Sequence, residues 1–427
     1  MQCRYACGDS DHALSRRALL GGLVGGGLAA GLGGLCTGTP AIADELKASH
    51  KRILNIFLHG GVSQLETWDP KPNTDTGGPF RAIPTSVPGM HICELLPHTA
   101  QQMHSLAIVR SLNTKNGDHG RGTVEMTTGR KQMPGTEYPH LGAVAAKSLT
   151  PQNFPLPGHI LVRSGGPGKG DAAYLGPQYD SIVLDDGKAP ANSERPASLA
   201  AEVDARRNAF RMKANDRFAG RRRTAETDAY TFSFDQAAQL MQRRDVFDVS
   251  QESSADRDRY GKHDFGRNCL LARRLLEAGV PFVQVNHSNY DTHFENFDYH
   301  IEQLGEFDLP FASLVADLAE RGLLADTLIC VMSEFGRTPK INARYGRDHW
   351  GKAWSVVLGG AGIQPGAVVG KTSDNGTEVT DREVDHGHLF HTILRGVGVD
   401  SKGEFDVGGR QFPVADPAKD AIAELLA

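Results

Sequence analysis

The chain has 427 residues, with 46 Lys+Arg against 51 Asp+Glu for a formal net charge of −5, 39% hydrophobic residues and six cysteines. That slight acidity excludes a protein that grips nucleic acid or an anionic membrane through net charge. The length and near-globular apolar content describe one large domain or two modest ones, with ample core.

At the N-terminus, Arg16 and Arg17 precede a Gly/Ala-rich, weakly apolar run, and a small-x-small site follows at Ala41-Ile42-Ala43. The pattern reads as a twin-arginine export signal over residues 1–43. A transmembrane anchor fits less well, because the run is rich in glycine and ends in a cleavage-like site rather than in basic stop-transfer residues. Cys36 follows Leu35, too bulky for a lipid-attachment site. Cleavage leaves a mature chain starting near Asp44, without a stable membrane span, exported folded by the twin-arginine machinery to the periplasm or the exterior. Its three cysteines, Cys93, Cys269 and Cys330, lack metal-ligand spacing and sit in apolar runs, so they read as buried thiols.

Six short apolar runs follow in order: 52–58, 105–111, 159–164, 281–286, 327–332 and 355–360. They predict strands buried on both faces of a parallel or mixed sheet. Between them, "NCLLARRLLEAG" predicts a helix closed by Gly279, and "PFASLVADLAERG" one opened by Pro310 and closed by Gly322. From about Glu194 to His263 the chain is charge-dense, and acidic residues interrupt its arginines, so it reads as a solvated helical insertion rather than a nucleic-acid patch. The expected fold class is α/β, a central mostly parallel sheet flanked by helices in three layers.

Ligands of open α/β sheets sit beyond the carboxyl ends of the strands. Here those ends lead to His59, then Asp118 and His119, then Asp291 and His293, then Glu334 with His349 fifteen residues later. Imidazole and carboxylate are the donors that zinc, manganese and related divalent ions take, so the set points to a metal site.

The stretches "FLHGGVSQLETWDPKP", "YGKHDFGRNCLLARRLLEAGVPFVQVN", "YDTHFENF" and "MSEFGRTPKINARYGRDHWG", with the leading twin arginines, resemble an exported bacterial family called domain of unknown function 1501. That family is placed in the alkaline phosphatase and sulfatase superfamily, and the resemblance runs from about Arg52 to Asp400. It implies an alkaline phosphatase-like fold in a single domain over 44–427, with the insertion at about 194–263. It also implies a divalent metal, zinc first with manganese or calcium as alternatives, and an anionic small-molecule or glycan ester as substrate.

Carried over residue by residue, the resemblance puts His59 and Gly60 where sulfatases have a metal-binding aspartate pair. "TTGR" at Thr127 to Arg130 resembles the end of their nucleophile motif, and counting back puts His119 at the nucleophile. "MSEFG" puts Glu334 for their late aspartate and Phe335 for the next ligand, and His349 resembles a later metal histidine. These departures imply one ion, or an altered pair, in place of a zinc pair. His119 would serve as nucleophile or base, oriented by Asp118, with Thr123 the substitute nucleophile.

Arg121, Arg130 and Arg337 lie in the same loops and suit the oxygens of phosphate or sulfate. Arg337 also reads as an ion-pair partner of Glu334. "GGPGKGD" at Gly165 to Asp171 lacks the ending of a phosphate-binding loop and reads as a surface loop. In "DHGHLFHTILRGVGVD", His386 or His388 is a further candidate ligand, whereas His391 falls in a helix start. Three functions remain open: a metal-dependent phosphate or sulfate ester hydrolase, a metal- or anion-binding envelope protein without turnover, and a structural envelope component.

Overall fold

Strand β1, Arg52–Leu58, is buried along all seven residues, as a central strand covered on both faces must be. Seven further strands complete its sheet: β2 (Leu106–Leu112), β3 (His159–Arg163), β4 (Ile182–Asp185), β5 (Phe282–His287), β6 (Thr327–Met332), β7 (Trp354–Gly360) and β8 (Val368–Val369). Their order is β8-β2-β7-β6-β1-β5-β3-β4. Every pairing is parallel except those of β7, which runs antiparallel to both β6 and β2. This computed structural model describes residue 47 and residues 49–427, apart from 166, 167, 169, 191, 192 and 221–224. The twin arginines, Cys36 and the Ala41-Ile42-Ala43 site lie outside the described residues, as do Gly166, Pro167 and Lys169 of the Gly165–Asp171 loop.

Seven helices matter for the site and its supports: α1 (His119–Thr128), α2 (Leu141–Leu149), α3 (Ala201–Ala219), α4 (Ala225–Gln242), α5 (Asp264–Glu277), α6 (Asn296–Glu320) and α7 (His386–Gly396). Alternation along β1 sorts the core into two. Leu54, Ile56 and Leu58 pack with Leu271 and Leu275 of α5 and Phe307 and Phe311 of α6. Ile53 and Phe57 face the other way, with Met126 of α1, Val144 of α2 and Leu389 and Ile393 of α7. The result is three layers, helices over both faces of a mostly parallel sheet, as the sequence predicts. Cys93, Cys269 and Cys330 are free, buried thiols.

One expectation needs correction, and two strands were not foreseen. Pro310 does not open a helix: α6 begins at Asn296 and carries Pro310 inside it. A proline there removes one intrahelical hydrogen bond, but a buried stripe through Leu304, Phe307, Phe311, Leu314 and Leu318 carries the helix past it. Strands β4 and β8 also lack a periodic signal, the first being four residues at the sheet edge and the second only two. The charge-dense segment forms α3 and α4, joined by an Arg211–Asp235 ion pair at 2.9 Å. No helix among the described residues is long and apolar enough to cross a membrane.

Because β1, β2, β5 and β6 run in one direction, their carboxyl ends open on the same edge of the sheet. His59, His119, Asp291 and Glu334 all follow those ends. The link from β6 to β7 holds a two-residue ladder in which Gly336–Arg337 pairs with His349–Trp350, folding His349 back toward Glu334.

Candidate metal centre

Asp118 caps α1 by accepting the Arg121 N–H at 2.9 Å. That cap puts His119 at the first helical position, and Gly122 lets the helix lie close to the end of β6. A Cβ on Gly122 would stand 2.9 Å from the Glu334 carbonyl oxygen. Packed this closely, His119 Nδ1 stands 2.7 Å from Glu334 Oε1. Glu334 is wholly buried, and it also accepts the Gly60 N–H and the Ser333 hydroxyl, each at 2.9 Å. Gly60 is required here: its φ is +115°, and a Cβ would meet the Asp291 nitrogen at 2.6 Å.

His349 Nδ1 lies 2.7 Å from the Gly117 carbonyl oxygen, and His293 Nδ1 lies 2.7 Å from Asp348 Oδ1. A carbonyl and an ionised carboxylate only accept, so in all three imidazoles Nδ1 carries a proton, and whenever the ring is neutral Nε2 keeps the lone pair. Those Nε2 atoms converge. His293 Nε2 is 3.0 Å from His349 Nε2, and each is 3.2 Å from Asp291 Oδ1. His119 Nε2 is 3.3 Å from Asp291 Oδ2, yet it is buried without a hydrogen-bond partner. Ligand atoms of His119, Asp291 and His349 all lie within 4.8 Å of one another. Two lone pairs facing at 3.0 Å repel unless a proton or a metal cation lies between them.

Charge agrees with geometry. Asp291, Glu334 and Asp348 contribute −3 and Arg337 contributes +1, which leaves −2 around neutral imidazoles. Burial acts to raise the Asp291 carboxyl, but the Arg337 guanidinium at 2.6 Å brings it down to about 2. Burial likewise opposes ionisation of Glu334, and the hydrogen bond from His119 reverses that, so its pKa is lowered. His349 is held below the ordinary histidine value by burial and then by Arg337, which favours the neutral, ligating ring. The Glu334 hydrogen bond raises His119 above that value. Buried Phe335 forms an apolar floor, its ring 4.8 Å from His119 and 4.4 Å from His349. The donor set and its charge fit one divalent cation.

The family described as "Protein of unknown function (DUF1501)" matches residues 50–426. The chain belongs to this family. No curated protein matches it. Among solved structures, an alkaline phosphatase superfamily protein from Vibrio parahaemolyticus is 11% identical, covering 84% of this chain and 74% of its own, with a TM-score of 0.37. PsFucS1 sulfatase from Pseudoalteromonas sp. is 15% identical, covering 90% and 77%, with a TM-score of 0.35. The alkaline phosphatase of the Antarctic bacterium TAB5 is 12% identical, covering 82% and 98%, with a TM-score of 0.36. Scores this low leave the chemistry of this DUF1501 chain to its own side chains.

Five of the residues expected at the site gather in this DUF1501 chain: His119, Asp291, His293, Glu334 and His349. His59 stands at the rim, its Nε2 3.9 Å from Glu334 Oε1. The others are placed differently. Asp118 caps α1 and does not orient His119; Glu334 does. Arg337 is wholly buried, and its guanidinium donates to the carbonyls of Gly60, Gly61 and Arg347 and to Asp291, so it is a structural cation rather than a substrate clamp. Its ion-pair partner is Asp291, not Glu334. Arg130 donates to the carbonyls of Pro413 and Ala415, fastening the C-terminal segment. His388 sits in the capping box of α7 with Asp385, and His391 bonds Ser401 and the Asp416 carbonyl. Thr123 is half-buried one turn past His119, and no hydroxyl or thiol of the described residues hydrogen-bonds any of the three imidazoles. Asp348, adjacent to His349, stands out in the sequence as a polar residue of this segment but has no role assigned from it, and the Gly117 carbonyl is a backbone group without any sequence signature.

Proposed function

We propose that the protein is an exported, metal-dependent hydrolase of phosphate or sulfate esters. The convergence of three Nε2 lone pairs on Asp291, with His119 Nε2 left unpartnered, carries this reading. His119, His293, His349 and Asp291 would hold one ion. A nitrogen-rich set of this kind suits zinc before manganese, and calcium least, since calcium takes oxygen ligands. When bound, such an ion supplies Lewis-acid polarisation of the ester oxygens.

The chain's own groups do the rest. Glu334, Gly117 and Asp348 fix the tautomers by holding each Nδ1–H, a support that also raises the basicity of a ligating imidazole. Arg337 neutralises part of the carboxylate charge from within, where substrate does not reach it. Phe335 excludes water from beneath the rings. His59, one-third exposed at the rim, is the imidazole left for proton transfer. Residues 1–43 complete the proposal as a twin-arginine signal, with the mature chain starting near Asp44 as one domain delivered folded to the periplasm or exterior.

A protein that binds metal without turnover is the second reading, favoured by the absence, among the described residues, of a hydroxyl or thiol hydrogen-bonded to the imidazoles. Elemental analysis of the purified protein, with aryl phosphate and aryl sulfate turnover, decides between them. We expect about one divalent ion per chain, lost in Asp291→Ala, and turnover that follows metal content. A metal-free protein contradicts both readings, and full occupancy without turnover of either ester selects the second.

A further inference from the structure

Helix α1 has a second outlook besides the imidazoles. Its solvent side borders a cavity of about 910 Å³ whose lining includes Arg121, Glu125, Lys131, Glu137 and Tyr174. Arg121 follows His119 by two residues, and Glu125 lies one turn further along. Glu125 stands near Asn116, next to the Gly117 carbonyl that holds His349, so a single loop borders both the imidazoles and the cavity.

Arg121 and Lys131 act on Glu125 only at a distance, and the charged groups of this lining form no ion pair among the described residues. Arg121 and Lys131 are exposed, and neither has a carboxylate within ion-pair distance among the described residues. Glu125 is 93% buried (7% exposed), and its Oε2 has no hydrogen-bond partner. Burial raises its carboxyl above the ordinary value. Glu137 is exposed at the same cavity. The lining therefore offers two free cations, two carboxylates able to accept from hydroxyls, and an aromatic wall from Tyr174. A ligand that satisfies all of these carries an anionic group and several hydroxyl donors on one body. Inorganic phosphate lacks that hydroxyl-bearing body, and a metal ion has no use for the cations. The volume is also several times that of a single tetrahedral oxyanion, and typical of small-ligand sites at roughly 300–1,000 Å³.

We infer that this cavity is a carbohydrate subsite, which binds an anionic sugar unit of a glycan through Arg121 and Lys131, with Glu125 taking its hydroxyls. The inference rests on the hydrolase reading only for where the ester lies. It makes the substrate an ester on an acidic glycan rather than a simple alkyl or aryl ester.

The test is binding, measured by calorimetry on the full mature protein with two probes of equal length. One is a tetrasaccharide alternating glucuronic acid and N-acetylglucosamine; the other is a neutral tetrasaccharide of N-acetylglucosamine. The acidic probe should bind about tenfold more tightly or better, as expected for one charge-assisted hydrogen bond. Arg121→Gln and Lys131→Gln should each weaken the acidic probe about tenfold and leave the neutral one unchanged. Glu125→Ala should weaken both probes. Arg121→Gln and Lys131→Gln should keep metal content and thermal midpoint; Glu125→Ala empties a buried position and should lower the midpoint, so Glu125→Gln, which keeps an accepting oxygen, should retain binding of both probes. Equal affinity for the two probes, or no binding of either, overturns the subsite. Charge-selective binding by a metal-free protein keeps the subsite and removes the hydrolase; a metal-loaded protein that ignores both probes does the reverse.

Discussion

Glu334 is the residue on which the centre most depends, although it lies outside the converging ligand atoms. Its carboxylate accepts from His119, from the Gly60 N–H and from the Ser333 hydroxyl. Glu334→Gln keeps the shape and removes the charge that holds the His119 tautomer. Loss of such a support typically costs 10–100-fold in metal affinity, and a competition titration against a chromophoric chelator should read a loss of about that size. Unchanged affinity would mean that Glu334 is only a buried anchor. The ligands themselves were legible because they follow strand ends, where a polar residue after an apolar run has no core to join. Their partners were less so. His119 and Glu334 are 215 positions apart, and nothing local distinguishes that partner from neighbouring Asp118, which the helix N-terminus takes instead. Arg337 read as a substrate cation because its sequence position shows its neighbourhood but not the carbonyls that surround its guanidinium.

At the scale of elements, the site depends on how closely β1 and the turn after β5 approach. Gly60 sits where these segments touch, with φ at +115° and its would-be Cβ 2.6 Å from the Asp291 nitrogen. Gly60→Ala must both strain its own backbone and push Asp291 away from the imidazoles. The expected cost is about 1–3 kcal/mol in urea unfolding of the metal-free protein, together with a loss of metal. A variant with wild-type stability and full occupancy would show that the turn can yield. All six strands expected from their apolar runs are present, because burial on both faces writes itself as a continuous run. Elements of two to four residues, such as β4 and β8, contain too little chain for any period. In α6 the local rule for proline and the amphipathic stripe disagree, and the stripe wins because its residues bury against β1 and α5.

For the whole molecule, acid stability turns on histidines that fold neutral away from the centre. His140 and His159 stack at 5.0 Å under α2, and His300 lies buried beside Ser63. Burial lowers His159 and His300 to about 4, and burial together with the neighbouring His159 keeps His140 low as well. In the unfolded chain each titrates near 6.5. Between about 6.5 and 4 the unfolded state therefore binds more protons than the folded one, and stability must rise with pH across that window. The stability present above 6.5 is thus lost as the pH falls toward 4. His159 alone contributes on the order of 3 kcal/mol to that loss. Urea midpoints of the metal-free protein at pH 6.5, 5.5 and 4.5 should fall in that order. His159→Phe removes one of these protons and keeps a ring against His140 and Phe282, at the cost of the Nδ1 contact to the Tyr179 carbonyl. It should start less stable at pH 6.5 and lose less on acidification. Parallel curves for the variant and the wild type would show that His159 does not carry its share, and would leave the acid sensitivity to His140, His300 and the carboxylates.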